Sequence, residues 1–343
     1  MTVKPTPSGA PTPEPPAPGS PAPKPPPAPE PPAFASSGVG PGPRPALGVS
    51  TSVLHDRRAL HALLPYEPDV VEFYNYPGAM VPELARFCGR HGIRPALHTP
   101  VPYDLDEPLR RFAPTGPDPV EAALALRLAR QTIRLAADLD AVHVVVHFPS
   151  PYPPYPSEGF AERCAEFLRA LDETARSHRV SVLVENLTGH PLLHTPEQYA
   201  RVLDGTELGL CLDLGHAHLL GERGTPLRFG QLLGPRVRSM HVYNTTPDRY
   251  PHHGHEAAAP GQSSRDGYLD LGVLLPRLLA LTRPQVVVME HNPWPKGPQD
   301  RHGPRQTAAW LRRLIDQAPG PDPDPVSPTK SVPPHRKRHD DSA

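Results

Sequence analysis

Along the middle of the chain, short apolar β-rich runs alternate with longer stretches of helical periodicity. The runs predicted as strands are Leu47–Ser50, Val70–Tyr74, Ile93–His98, Val142–His147, Val180–Glu185, Leu208–Asp213, Val237–Tyr243 and Gln285–Glu290. Between them, helices are predicted over Val120–Leu139, started by Asp118-Pro119, and over Ser157–His178, started at Ser157. Pro82–His91, Pro196–Leu203, Leu269–Leu281 and Arg305–Ile315 read likewise, and Asp56–Leu64 and Leu227–Leu233 carry a weaker pattern. Strands four, five and eight are nearly continuous in Val, Ile and Leu, as expected of strands covered on both faces. Strict alternation of strand and helix implies parallel strands with crossover helices, and eight units favour closure into a (β/α)8 TIM barrel. No Gly-x-Gly-x-x-Gly follows the first strand, which argues against a dinucleotide-binding sheet.

The two ends of the chain have a different composition. Prolines crowd residues 1–45, where little else than Ala, Gly, Ser and Thr intervenes, and residues 318–343 resemble them. Such segments cannot bury enough apolar surface to offset their ordering entropy. The expected organisation is a disordered Pro-rich arm over 1–45, one barrel domain over 46–317 and a disordered tail over 318–343. The arm could serve as a ligand for a partner domain.

No run reaches the ~20 apolar residues of a membrane span, and prolines interrupt any signal-peptide core, so a cytoplasmic location is expected. Cys88, Cys164 and Cys211 are widely spaced and suggest reduced thiols. A net charge of −1 does not favour a nucleic-acid partner. Lys296 is the only lysine between positions 45 and 329, in a proline-rich loop, which disfavours Schiff-base chemistry from a strand.

The chemistry is concentrated where strands end. Strands three to eight finish at or near His98, His147, Glu185, Asp213, His241 and Glu290. In a closed barrel these positions converge at one mouth. Buried acids and imidazoles need partners, and a divalent cation supplies the missing charge. Asp213-x-x-His216 adds an imidazole just past strand six, and His252-His253-Gly254-His255 follows strand seven. Tyr103, Phe148, Asn186, Tyr243, Asn292 and Trp294 could line the mouth, and Arg249 or Lys296 could contact a phosphate. Substrate contacts are assigned to Asn186, Tyr243, Arg249 and Trp294. His194, His218 and His291 are expected behind the site or on the surface.

Glu185-Asn186, Asp213-x-x-His216, His241, Glu290 and Asp266-Gly267-Tyr268-Leu269-Asp270 together resemble the xylose-isomerase-like TIM-barrel superfamily. It includes sugar-phosphate isomerases and epimerases as well as metal-dependent AP endonucleases. The resemblance implies one metal held by Glu185, Asp213, His241 and Glu290, proton transfer by Glu185 and Glu290, and substrate contact by His216. Three carboxylates and one imidazole suit Mn²⁺, Mg²⁺ or Co²⁺. The function so implied is isomerisation or epimerisation of a small sugar or sugar-phosphate, by proton transfer beside a carbonyl. The endonuclease branch implies a second expectation: a di- or trinuclear hydrolase in which His98, His147, His216, His253 and His255 add ligands for Zn²⁺. Where that branch carries Asp-x-His, this chain reads His253-Gly254-His255, a departure that counts against a full trinuclear site.

Overall fold

The computed structural model describes residues 44–103, 111–221, 225–293 and 303–318. Eight strands form a closed parallel barrel in sequence order: β1 (Ala46–Ser50), β2 (Val70–Tyr74), β3 (Arg94–His98), β4 (Val144–His147), β5 (Val182–Glu185), β6 (Gly209–Asp213), β7 (Val237–Val242) and β8 (Val286–Met289). The ring closes by parallel pairing of β8 with β1, Ala46 against Val286 through Val49 against Met289. The larger crossover helices are α1 (Val81–His91), α2 (Pro119–Asp138), α3 (Phe160–His178), α4 (Pro196–Leu203), α6 (Pro226–Leu233), α8 (Leu271–Leu281) and α9 (Gly303–Asp316). Two short helices, α5 (Leu214–Leu219) and α7 (Tyr250–His253), sit in the loops after β6 and β7.

Local chemistry explains most of the boundaries. Asp118 caps α2 by accepting from the Val120 amide, with Pro119 in the first turn, as the dipeptide predicted. Thr195 and Gln198 form a reciprocal capping box on α4. Two expectations are corrected. The α3 helix begins at Phe160 rather than Ser157, because Gly159 takes φ 63° and turns the chain into the helix there. The segment predicted as a helix over Asp56–Leu64 is a 3-10 stretch at Leu60–Tyr66 that contains Pro65.

The main apolar core lies between sheet and helices, with Leu97, Val144, Val146, Val184, Leu210, Leu212 and Val287 facing helix residues such as Ile133, Leu168 and Leu275. Inside the barrel the packing is smaller: Val70, Ala96, Val286 and Val288 form one cluster, and Val145, Leu183 and Cys211 another. Gly48 makes room at this level, since a Cβ there would lie 2.9 Å from Val286 Cγ1. The three cysteines are free and buried. No helix among the described residues is long and apolar enough to cross a membrane.

Side chains alternate across a strand, so the inward position two residues above each of these apolar residues also faces inward. Above Val70, Ala96, Val145, Leu183, Cys211 and Val288 come Glu72, His98, His147, Glu185, Asp213 and Glu290. The barrel interior is therefore apolar toward its floor and ionisable toward the carboxyl ends of its strands.

Candidate metal centre

Register places the ring members side by side. His147 pairs with Glu185 across β4 and β5, and Asp213 with His241 across β6 and β7. His241 Nδ1 lies 3.0 Å from Glu290 Oε2, 3.5 Å from Glu185 Oε1 and 3.9 Å from Asp213 Oδ2. These four residues offer ligand atoms that all fall within 4.8 Å of one another. On the other side of Glu185, its Oε2 lies 3.1 Å from His98 Nε2 and 3.3 Å from His147 Nε2, a second group of the same kind. Glu185 thus turns one oxygen to each group.

The first group fits a cation by its unsatisfied atoms. Glu185 Oε1, Asp213 Oδ2 and His241 Nδ1 are buried and have no hydrogen-bond partner among the described residues. Buried polar atoms are ordinarily paired, and here three orphans face one point. Their other atoms are engaged. Asp213 Oδ1 accepts from the His216 amide and caps α5, leaving Oδ2 for the site. Asn186 clamps Asp213 from the neighbouring strand: Nδ2 donates to the Asp213 carbonyl at 3.0 Å, and Oδ1 accepts its amide at 2.8 Å. His216 Nδ1 donates to the Asn186 carbonyl at 3.1 Å.

The charges are strongly coupled. Burial pushes the Glu185 carboxyl up, but His147 and His241 outweigh it and hold it well below its ordinary value. Burial, with Glu185 and Glu290 alongside, raises Asp213 against the pull of His216. Burial lowers His216, yet Asp213 and Glu185 carry it up to about 9. Burial takes His255 down to about 4, which keeps its imidazole neutral near pH 7.

His255 reaches the site from the loop after α7. Its ring stacks on Tyr243 at 3.8 Å, meets His216 edge-on, and places Nδ1 3.8 Å from Glu290 Oε2. Tyr243 in turn packs the tip of its ring against Gly215, where a Cβ would collide with Tyr243 Cζ. Solvent reaches the ring where the His147, His255 and Glu290 side chains are 28%, 23% and 11% exposed, which marks the entrance.

Several expected roles are not matched by placement. His253 is exposed on α7 and belongs to none of the candidate metal groups among the described residues. Arg249 is committed to Glu256 through two charge-assisted bonds of 2.7 and 2.8 Å. Asn186 is fully buried with its amide spent on Asp213, so it shapes the site rather than meeting substrate. The Tyr243 hydroxyl is buried and has no partner among the described residues. Phe148 is stacked on Phe167 in the outer core, away from the mouth. Trp294 and Lys296 lie outside the described residues. His291 is buried behind the ring, where Nδ1 donates to the Asn292 carbonyl, and His218 is bonded to the Gly267 carbonyl.

Two ionisable residues escaped the sequence reading. Glu72 and His143 are buried inside the barrel, His143 Nε2 being 3.2 Å from Glu72 Oε2. A lone acid within the apolar run Val-Val-Glu-Phe-Tyr was the available signal for Glu72.

A sequence profile of the family described as xylose isomerase-like TIM barrel matches residues 61–314. The chain belongs to this family. No curated protein matches it in sequence. Among solved structures, it is similar to an L-ribulose 3-epimerase at 18% identity and TM-score 0.63, over 80% of this chain and 95% of that one. It is similar to a Thermus thermophilus protein soaked with zinc chloride at 24% identity and TM-score 0.55, over 80% and 98%. It also resembles the IolI protein with a bound zinc atom at 16% identity and TM-score 0.60, over 80% and 99%. At these identities the likeness establishes the shared barrel.

Proposed function

We propose that the protein is a divalent-metal-dependent isomerase or epimerase of a small sugar or sugar-phosphate. The observation that carries this is the convergence of the unpartnered Glu185 Oε1, Asp213 Oδ2 and His241 Nδ1 with Glu290 Oε2. The epimerase named among the similar structures supports the choice of reaction. Three carboxylates and one imidazole suit Mn²⁺, Mg²⁺ or Co²⁺. When bound, such an ion polarises a carbonyl and the neighbouring hydroxyl.

The remaining steps belong to the chain's own residues. Glu185 and Glu290 stand on different strands of the ring. One takes the proton from the carbon beside the carbonyl and the other returns a proton to it or to its neighbour. His216, braced by Asn186, contacts the substrate oxygens. His255 and Tyr243 shield the reacting carbon from water. In deuterated water, a responsive ketose should acquire deuterium beside its carbonyl. Glu185→Gln or Glu290→Gln should lower exchange on the order of 10²- to 10⁴-fold. No exchange by metal-loaded protein over a broad panel of ketoses and their phosphates would remove the proposed chemistry.

A second reading, a polynuclear Zn²⁺ hydrolase, has one specific observation in its favour. His98 Nδ1 donates to the Thr99 carbonyl, which leaves Nε2 to face Glu185 Oε2 beside His147. Anomalous scattering at the metal edge separates the readings. A single peak within Glu185, Asp213, His241 and Glu290 supports the isomerase, and a further peak between His98, His147 and Glu185 supports the hydrolase.

A further inference from the structure

Glu72 is wholly buried on β2 and faces the imidazole nitrogen of His241 that points away from the carboxylate ring. His241 Nε2 lies 3.1 Å from Glu72 Oε1 and 3.4 Å from Oε2, while Nδ1 faces Glu290, Glu185 and Asp213. On its other side Glu72 meets His143, whose Nε2 donates to Oε2 at 3.2 Å. The three side chains form a buried line, His143–Glu72–His241, running from deeper in the barrel up to the centre.

We propose that Glu72 is a positioning residue that, held from behind by His143, fixes the His241 ring with its proton on Nε2 and its lone pair on Nδ1. The proposal rests on the metal reading above. A neutral imidazole carries one N–H, and an ionised carboxylate can only accept. Glu72 therefore draws the proton to Nε2 and bares Nδ1 toward the carboxylates. Without it, the three acids around Nδ1 would draw the proton to that nitrogen and block it as a ligand. The hydrogen bond from His143 limits rotation of the Glu72 carboxylate, so the acceptor stays aimed at His241. Carboxylates behind ligating histidines act in this way at metal sites generally.

Glu72 also lies close enough to His98 and Glu290 to form a third candidate ligand group, so the test must separate orienting from ligating. Full-length protein, Glu72→Gln, Glu72→Leu and Glu290→Gln are stripped of metal and titrated with Co²⁺, followed by its visible absorption. Circular dichroism of the metal-free proteins checks the fold. The expected result is that Glu72→Leu weakens Co²⁺ binding about 10- to 100-fold with the number of ions at saturation unchanged. Glu72→Gln, whose amide oxygen still accepts from Nε2, falls between Leu and wild type. Nitrogen NMR of the zinc-loaded wild type should show His241 protonated at Nε2, with that signal lost or exchanging in Glu72→Leu. A role in filling the barrel would instead lower the melting temperature and leave affinity alone. Equal affinity in wild type and both Glu72 variants overturns the proposal while leaving the metal reading intact. Loss of one bound ion in Glu72→Leu makes Glu72 a ligand and overturns it as well. A wild type that binds no Co²⁺ overturns both readings. If Glu72→Leu does not fold, the isosteric Glu72→Gln decides, with a several-fold loss expected and wild-type affinity refuting.

Discussion

Gly215 is the residue on which the arrangement of the mouth turns. The Tyr243 ring packs against its bare α-carbon, and His255 stacks on that same ring. Gly215→Ala should push Tyr243 outward and carry His255 away from Glu290. Overpacking of this kind costs about 1–3 kcal/mol, readable in the denaturation midpoint. The variant should also lose turnover, and an unchanged melt with full activity would show that the stack is not what seats His255. His190 offers a pH signature outside the ring. Burial pulls its imidazole down to about 4, and Nδ1 accepts from the Leu192 and Leu193 amides. In the unfolded chain it titrates near 6.5, so between pH 6.5 and 4 the unfolded state binds a proton that the folded state refuses. The stability this residue contributes is present above pH 6.5 and lost as pH falls toward 4, by about 3 kcal/mol at most. His190→Gln should show a flatter fall of stability over that window than wild type.

At the scale of elements, capping decides where helices start, and the caps are testable. Removing the Thr195 hydroxyl with Thr195→Ala breaks the box that starts α4 and should cost about 1 kcal/mol in urea unfolding. The sequence makes the strands legible because each is an apolar run bounded by turn residues, and all eight lie within two residues of their predicted ends. It hides α5 and α7, which at six and four residues are too short to show a helical period. That matters at the site, since α5 carries His216 and takes its cap from Asp213. The acid at the end of β6 reads as either a helix cap or a ligand, and its two oxygens divide between the cap and the ring. Strand ends expose Glu185, Asp213 and Glu290 to sequence reading because each follows a valine or leucine directly or one residue on, whereas His241 follows Ser239-Met240 and is marked by its place near the end of the run Val237–Tyr243. Glu72 and His143 stay hidden because no strand end marks them. Only the barrel's register shows that they point inward and meet.

For the molecule as a whole, residues 1–45 and 318–343 offer little apolar surface, and their removal should leave the melting temperature almost unchanged. A chain of 46–317 that melts far below the full-length protein would show that one of these ends packs on the barrel. The truncation removes Arg44, whose pairing with Asp316 at 2.9 Å is largely solvent-exposed and so contributes little. That pair has a different significance as a measure of distance. The first strand and last helix of the barrel bring their outer ends within reach of a single salt bridge, at the end of the barrel opposite the candidate metal centre. Covalently, the barrel is a ring of eight units cut once, and the cut falls where a few residues would reseal it. A gene rearranged to join Asp316 to Arg44 through a short glycine-serine bridge, with new termini between Asp204 and Gly205, should still yield a folded protein that binds metal. The order in which the ribosome delivers the strands would then be incidental to the architecture, and evolution would be free to shift the starting point around the circle.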